Sequence, residues 1–206
     1  MIPSAPLGTG IILASGSASR RAMLEAAGVA FEVVRPQVDE EAAKQALKAE
    51  GVDARGLADA LAELKALAVS RRFPGRTVIG SDSVMALADG AMLDKPPTRE
   101  AAAEQLKRMR GGSHRLVSAV VGARDGVAVW RHVDVAKLHV RPFSDAFLES
   151  YLDAEWPAIS GCVGCFRIEG RGVQLFSRLE GSHFTILGMP LMPLLGWLRE
   201  IGEMPV

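Results

Sequence analysis

Short apolar runs that stop abruptly at small polar residues constrain this chain more than any other feature. Ile11-Ile12-Leu13-Ala14 runs straight into Ser15-Gly16-Ser17, and Thr77-Val78-Ile79-Gly80 into Ser81-Asp82-Ser83. An apolar run without alternation suits a strand buried on both faces, and such strands belong to sheets covered by helices. The intervening sequence supplies those helices. Leu57, Leu61, Leu64 and Ala68 recur at helical spacing, which predicts a long amphipathic helix over Ala54–Arg72. Ser17 or Ser19 can cap a helix over Arg20–Ala27, with Gly28 as its left-handed stop, and Phe31–Val34 reads as a second strand. The acidic cluster Asp39-Glu40-Glu41 opens another helical stretch, and Thr98 caps one that reaches Arg110 before Gly111-Gly112.

Further along, Asp125-Gly126 between Val117–Ala123 and Val127–Val140 is a short-hairpin signal. A helix is expected over Ser144–Ala154, a glycine-rich segment over Gly161–Gly172, a strand over Val173–Leu179 and one closing helix over Leu187–Ile201. Strands and helices alternate around one inserted hairpin. The expected class is therefore α/β with a mixed sheet, and 206 residues form a single domain, 1–206.

Composition excludes several classes of function. The chain is 49% hydrophobic and 23% charged, enough apolar area to fold rather than remain disordered. Lys plus Arg equals Asp plus Glu at 24 each, and aromatic residues are 5%, so neither a nucleic-acid partner nor an anionic membrane surface is expected. No apolar run approaches the ~20 residues that span a bilayer. Met1–Thr9 carries no basic residue and is broken by Pro3, Pro6 and Gly8, so it is not read as a secretory signal, and the cytoplasm is the expected location. Cys162 and Cys165 lack a second pair for a zinc site and read as reduced core thiols.

Four polar clusters are candidates for chemistry, all at strand ends or turns, where open α/β sheets bind ligands. Ser15-Gly16-Ser17-Ala18-Ser19-Arg20-Arg21 offers free helix N–H groups, hydroxyls and arginines to a phosphate, without the lysine of a P-loop. Asp39-Glu40-Glu41 carries hard oxygen ligands suited to magnesium. Asp82, expected at the C-terminal end of its strand, can hold a metal or take a proton from water. Lys95, beside Pro96 and Pro97, is a stiffly held cation for phosphate. The four histidines have no ligand spacing and receive no role. Neither a Gly-x-Ser-x-Gly elbow nor a Gly-x-Gly-x-x-Gly turn occurs. Two basic and two acidic clusters together point to a metal–polyphosphate site.

In this order the segments resemble the Maf family of nucleotide pyrophosphatases. Leu13-Ala14-Ser15-Gly16-Ser17, Val38-Asp39-Glu40, Val78-Ile79-Gly80-Ser81-Asp82, Lys95-Pro96, His114–Val121, Cys162–Gly170, Leu179-Glu180-Gly181 and Leu187–Leu191 carry the likeness. The resemblance implies a curved mixed sheet flanked by helices, with a nucleotide cleft between two lobes, and a homodimer. It further implies an enzyme dependent on Mg²⁺ or Mn²⁺ that splits a nucleoside triphosphate into the monophosphate and pyrophosphate. Asp82 would be the general base, Glu40 and Asp82 the metal ligands, and Ser15, Ser17, Arg20 and Lys95 the substrate-binding groups. Ser19, Ser83 and Glu169 stand where branches of the family differ. Ala18-Ser19-Arg20 and Glu169 look more like the 7-methyl-GTP branch than the dTTP/UTP branch, whereas Ser83 matches neither and Asp94 replaces a usual glycine. The alternatives are a dTTP/UTP pyrophosphatase and a nucleotide-binding regulator of septum formation that does not turn over.

Overall fold

β1 (Ile11–Ala14) is buried at every position, as its unbroken apolar run requires. It lies between β2 (Phe31–Val33) and β3 (Thr77–Leu87), parallel to both. The computed structural model describes residues 10–206, so the reading of Met1–Thr9 lies outside the described residues. Beyond β3 the sheet turns antiparallel through β5 (Ser113–Arg124), β6 (Val127–Val140) and β7 (Phe176–Glu180), with a short β4 (Met92–Leu93) also paired to β3. The strand order is β2-β1-β3-β5-β6-β7 in one seven-stranded sheet. The expected α/β class with a mixed sheet is what the chain forms, with more antiparallel pairing than one hairpin would bring. That hairpin is present: Asp125 and Gly126 both take positive φ, 51° and 77°, as a tight primed turn demands.

Helices cover both faces. α1 (Ala18–Ala26) and α7 (Leu191–Glu200) pack Met23, Leu24, Leu194 and Trp197 on the face that carries Ile11, Leu13 and Ile79. α3 (Ala54–Ser70) covers the other, packing Leu57, Leu61, Ala62 and Ala66 against Val117, Ala119 and Val121. The helix can approach so closely because Gly80 has no side chain. A Cβ there would fall on the Ala62 carbonyl oxygen and within 2.7 Å of the Ala66 nitrogen. α2 (Glu40–Ala49) precedes α3, capped by Asp39, whose side chain accepts from the Ala42 amide. A third apolar cluster joins α4 (Arg99–Met109) and α5 (Asp145–Glu155) to Met85, Leu116 and Leu138.

Three elements differ from the sequence expectation. β3 does not end before Asp82 but continues to Leu87, because β5 pairs with it from Val78 to Leu87 and supplies the ladder after β1 has stopped. The expected strand from Val173 begins instead as a 3₁₀ turn, Arg171–Leu175, before β7. The single closing helix is two, α6 (His183–Leu187) and α7, because Gly188 takes φ 108° and Pro190 has no amide to continue a helix. Smaller shifts occur at α1, which starts at Ala18 under a Ser17 cap rather than at Arg20, and at β5, which starts at Ser113.

Candidate active site

Asp82 owes its environment to the place where one neighbouring strand runs out. β1 pairs with β3 only as far as Ala14↔Gly80, and β4 resumes pairing at Met85. Between them the β3 edge is bare, facing the Ser15–Ser17 loop. Successive side chains alternate along a strand, so Asp82 points to the α3 face while Ser81 and Ser83 point to the α1/α6 face. The open edge lets groups from both faces meet.

On the α3 face, Lys65 Nζ lies 2.6 Å from Asp82 Oδ1 and 2.7 Å from Glu40 Oε2. Its side chain is 6% exposed, against 15% for Asp82 and 47% for Glu40, so the lysine is the buried hub of the three. α2 delivers Glu40 in its first turn, next to the Asp39 cap. A buried ammonium is tolerable only when paired, and these two carboxylates pair it. Lys65 was absent from the sequence candidates. Its signal is present nonetheless: a lysine on the same helical stripe as Leu57 and Leu61 has to find an anion in the core.

On the opposite face, Arg20 is buried. Its Nε donates to the Gly188 carbonyl at 2.8 Å, Nη2 to Ser83 Oγ at 3.1 Å and Nη1 to Ser15 Oγ at 3.4 Å. Three of five guanidinium N–H groups are thereby engaged, which leaves donors for a ligand. Burial lowers the Arg20 pKa from its ordinary value, and the fields of Asp82 and Glu40 oppose that shift. The hydroxyls beside it are held as acceptors: Ser15 Oγ from the Ser17 amide at 3.2 Å, Ser17 Oγ from the Arg20 amide at 3.4 Å. Their protons stay available to a phosphate oxygen. Gly188 is central, because its carbonyl also accepts from Ser81 Oγ and Ser83 Oγ, each at 3.1 Å. Ser83 lies 2.8 Å from Ser118 Oγ, Ser118 donates to the Thr185 carbonyl, and Thr185 Oγ1 donates to Asp134 at 2.6 Å. Ser118 and Asp134 come together through the β5–β6 register and Thr185 through the docking of α6, so the three could not be found from sequence.

The remaining candidates fall into a different group. Arg21 pairs with Glu25 on the surface, and Ser19 lies half-buried in the first turn of α1 without capping it. Lys95 and Glu169 are both exposed. They share the neighbourhood of Cys162: burial pushes that thiol up, Glu169 adds to the rise, and Arg167 and Lys95 oppose it. Both cysteines are free thiols; Cys165 is buried, donates to Gln105 Oε1 at 3.1 Å, and is pushed up to about 12 chiefly by burial. Neither has the lowered pKa of a reactive thiol. Asp94, beside Lys95, is bonded to Lys44 and, at 3.1 Å, to Lys48.

The residues fit a divalent cation of magnesium type. Such an ion uses one or two carboxylates and completes its shell with water and phosphate oxygens, and Glu40 and Asp82 both come within hydrogen-bond reach of one nitrogen. Among the described residues no cluster of three or more His, Cys, Asp or Glu side chains forms an all-protein cage. Nor, among them, is any helix long and apolar enough to cross a membrane.

The chain matches the family model described as "Maf-like protein" over residues 10–201. It is 55% identical to a protein of Sphingopyxis alaskensis named nucleoside triphosphate pyrophosphatase, over 95% of this chain and 98% of that one. Proteins of the same name from Granulibacter bethesdensis and Caulobacter vibrioides are each 50% identical, over 92% and 96% of this chain and 96% and 98% of theirs. With the match covering nearly every described element, and with Ser15, Arg20, Glu40 and Asp82 gathered around one open strand edge, the chain belongs to the Maf family.

Proposed function

We propose that the protein is a nucleoside triphosphate pyrophosphatase, cleaving between the α and β phosphates to give a nucleoside monophosphate and pyrophosphate. The observation that carries this reading is the Glu40–Lys65–Asp82 constellation on one side of the β3 edge, with Arg20, Ser15 and Ser17 on the other. A regulator that only binds nucleotide has no use for a carboxylate held beside a second carboxylate in that position. The names of the relatives support the same activity.

In this mechanism Arg20, Lys95 and the Ser15 and Ser17 hydroxyls bind the phosphate oxygens. Lys65 fixes the Asp82 and Glu40 carboxylates, so that little reorganisation is needed as charge develops. Asp82 accepts the proton of the attacking water. Mg²⁺ or Mn²⁺, held by Glu40 and Asp82, would neutralise charge on the phosphate oxygens.

For the base, the reading favours 7-methyl-GTP. A guanine edge presents N1–H and an amino group, two donors, and the carboxylate of Glu169 accepts from both, whereas uracil and thymine present carbonyl oxygens that it repels. Glu169 is exposed and makes no hydrogen bond among the described residues, so its acceptors are available. The cationic ring of the N7-methylated base adds attraction. Pyrophosphate release, measured over a panel of ordinary and modified nucleoside triphosphates with Mg²⁺, tests both levels. Absence of release from every nucleotide overturns the activity, while a higher kcat/KM for dTTP or UTP overturns the base assignment alone.

A further inference from the structure

Among the helices of the described residues, α2 alone buries no residue fully. Ala43 and Leu47 rest partly buried against the α3 cluster, and the deeper tie, Glu40 to the buried Lys65 at 2.7 Å, holds only the first turn of the helix. Yet α2 carries Glu40. One and two turns beyond Glu40, Lys44 and Lys48 lie on the same side of the helix, and both converge on the carboxylate of Asp94.

The far end of that contact is rigid. Asp94 directly follows β4, which is paired to β3, and its carbonyl accepts from Gln105 Nε2 of α4 at 3.0 Å. Gln105 is fixed in turn by the buried Cys165 thiol. A half-exposed carboxylate on a firmly held stretch of backbone thus grips the helix through two ammonium groups. The side chains of Lys44 and Lys48 are 18% and 27% exposed, so the grip is partly shielded from solvent. Burial raises the Asp94 pKa, and the hydrogen bonds and charges of the two lysines together outweigh it, leaving the carboxyl below its ordinary value.

We propose that Asp94 is a positioning residue for Glu40: by holding Lys44 and Lys48 it seats α2 and places the Glu40 carboxylate next to Asp82. The inference rests on the metal-dependent reading of the site given above. It accounts for an acidic residue directly beside Lys95, where it would otherwise only weaken phosphate binding.

Charge alone and seating agree on Asp94→Ala and make opposite forecasts for the two lysines. Asp94→Ala removes a negative charge and would weaken cation binding by simple electrostatics, whereas Lys44→Met/Lys48→Met removes two positive charges and would strengthen it. Loss of the seat weakens it in both. The probe is Mn²⁺ alone, titrated against the full-length protein with the free ion followed by electron paramagnetic resonance. Both variants should lose affinity by about three- to tenfold, the scale of partly exposed ion pairs. The triple variant should lose no more than either, and the α2 amides should exchange hydrogen faster in all three. Tighter Mn²⁺ binding by the double lysine variant, or unchanged α2 exchange, overturns the proposal. So does weakening in Asp94→Ala alone, which would route the effect through Lys95. A wild-type protein that binds Mn²⁺ as expected but hydrolyses no nucleotide overturns the function and leaves the seating result standing; one that binds no Mn²⁺ overturns the seating proposal.

Discussion

Lys65 shares its stripe with Leu57, Leu61 and Val69, all packed into the core. A lysine there makes sense only if the fold brings it an anion, and Asp82 and Glu40 arrive from two other elements. Asp82 and the Ser15–Arg20 segment were legible as candidates because small polar residues follow apolar runs, and Glu40 because an acidic cluster opens a helix. Lys65 was hidden because helical periodicity registers where a residue lies, not which strand it will face. Its contribution can be separated from bulk. Lys65→Met keeps the aliphatic stem but releases both carboxylates, and kcat should fall about 10²-fold, the scale of a misplaced reacting group. Steady-state rates with Mg²⁺ check this, and retention of more than a tenth of wild-type kcat would remove Lys65 from the site. Asp82→Asn is nearly isosteric but cannot take the proton of water, so a loss of about 10² or more in kcat is expected with an unchanged circular dichroism spectrum, while the thermal midpoint falls because the buried Lys65 ammonium loses one of its two partners. At the base, Glu169→Gln should erode the proposed preference for 7-methyl-GTP over dTTP and UTP, read as a ratio of kcat/KM values.

The element that departs most from its sequence pattern, the break between α6 and α7, is also the one the site uses. Apolar periodicity runs through Leu187–Ile201 without interruption, and only the Gly188-Met189-Pro190 triplet marks the stop. Where the helix opens, the Gly188 carbonyl is freed to accept from Arg20, Ser81 and Ser83. Gly188 holds φ 108°, where a side chain is strained, and a Cβ would lie 3.2 Å from Ser83 Oγ and 3.5 Å from Arg20 Nη2. Gly188→Ala should therefore cost about 1–3 kcal/mol of stability, and it should also weaken triphosphate binding by pushing Ser83 Oγ away from the Arg20 guanidinium it accepts from. Chemical denaturation and KM, measured on the same preparation, test the two effects separately. The β3 strand teaches the complementary lesson. Its apolar run ends at Gly80 because α3 lies there, yet the strand continues on the strength of its β5 partner, and local sequence does not record partners.

At the scale of the whole molecule, one buried group ties stability to acidity. His114 of β5 is 1% exposed, packs against the rings of Phe166 and Phe176, which also contact each other, and has neither ring nitrogen hydrogen-bonded. Burial lowers its pKa from 6.5 to about 4, with a smaller push from His139, itself 2.7 Å from Glu180. The unfolded chain therefore binds a proton that the folded one refuses between those values. Stability is full above pH 6.5 and declines as the pH falls towards about 4, by about 3 kcal/mol. His114→Leu should flatten that acid limb in urea unfolding curves taken from pH 7 to pH 4; an unchanged slope assigns the acid sensitivity elsewhere. The α/β class was legible because buried strands and amphipathic helices alternate, and so was the β5–β6 hairpin at Asp125-Gly126, while the pairing of β3 with β5 was not, since its register depends on partners far away in the chain. That register has an evolutionary consequence. Point substitutions can retune this site, but deleting one residue between Thr77 and Asp82 would carry the aspartate to the face of Arg20 and strand Lys65 without it. Length changes between Thr77 and Asp82 would thus break the site outright, because the two faces of the strand keep their separate duties only while the count between them is kept.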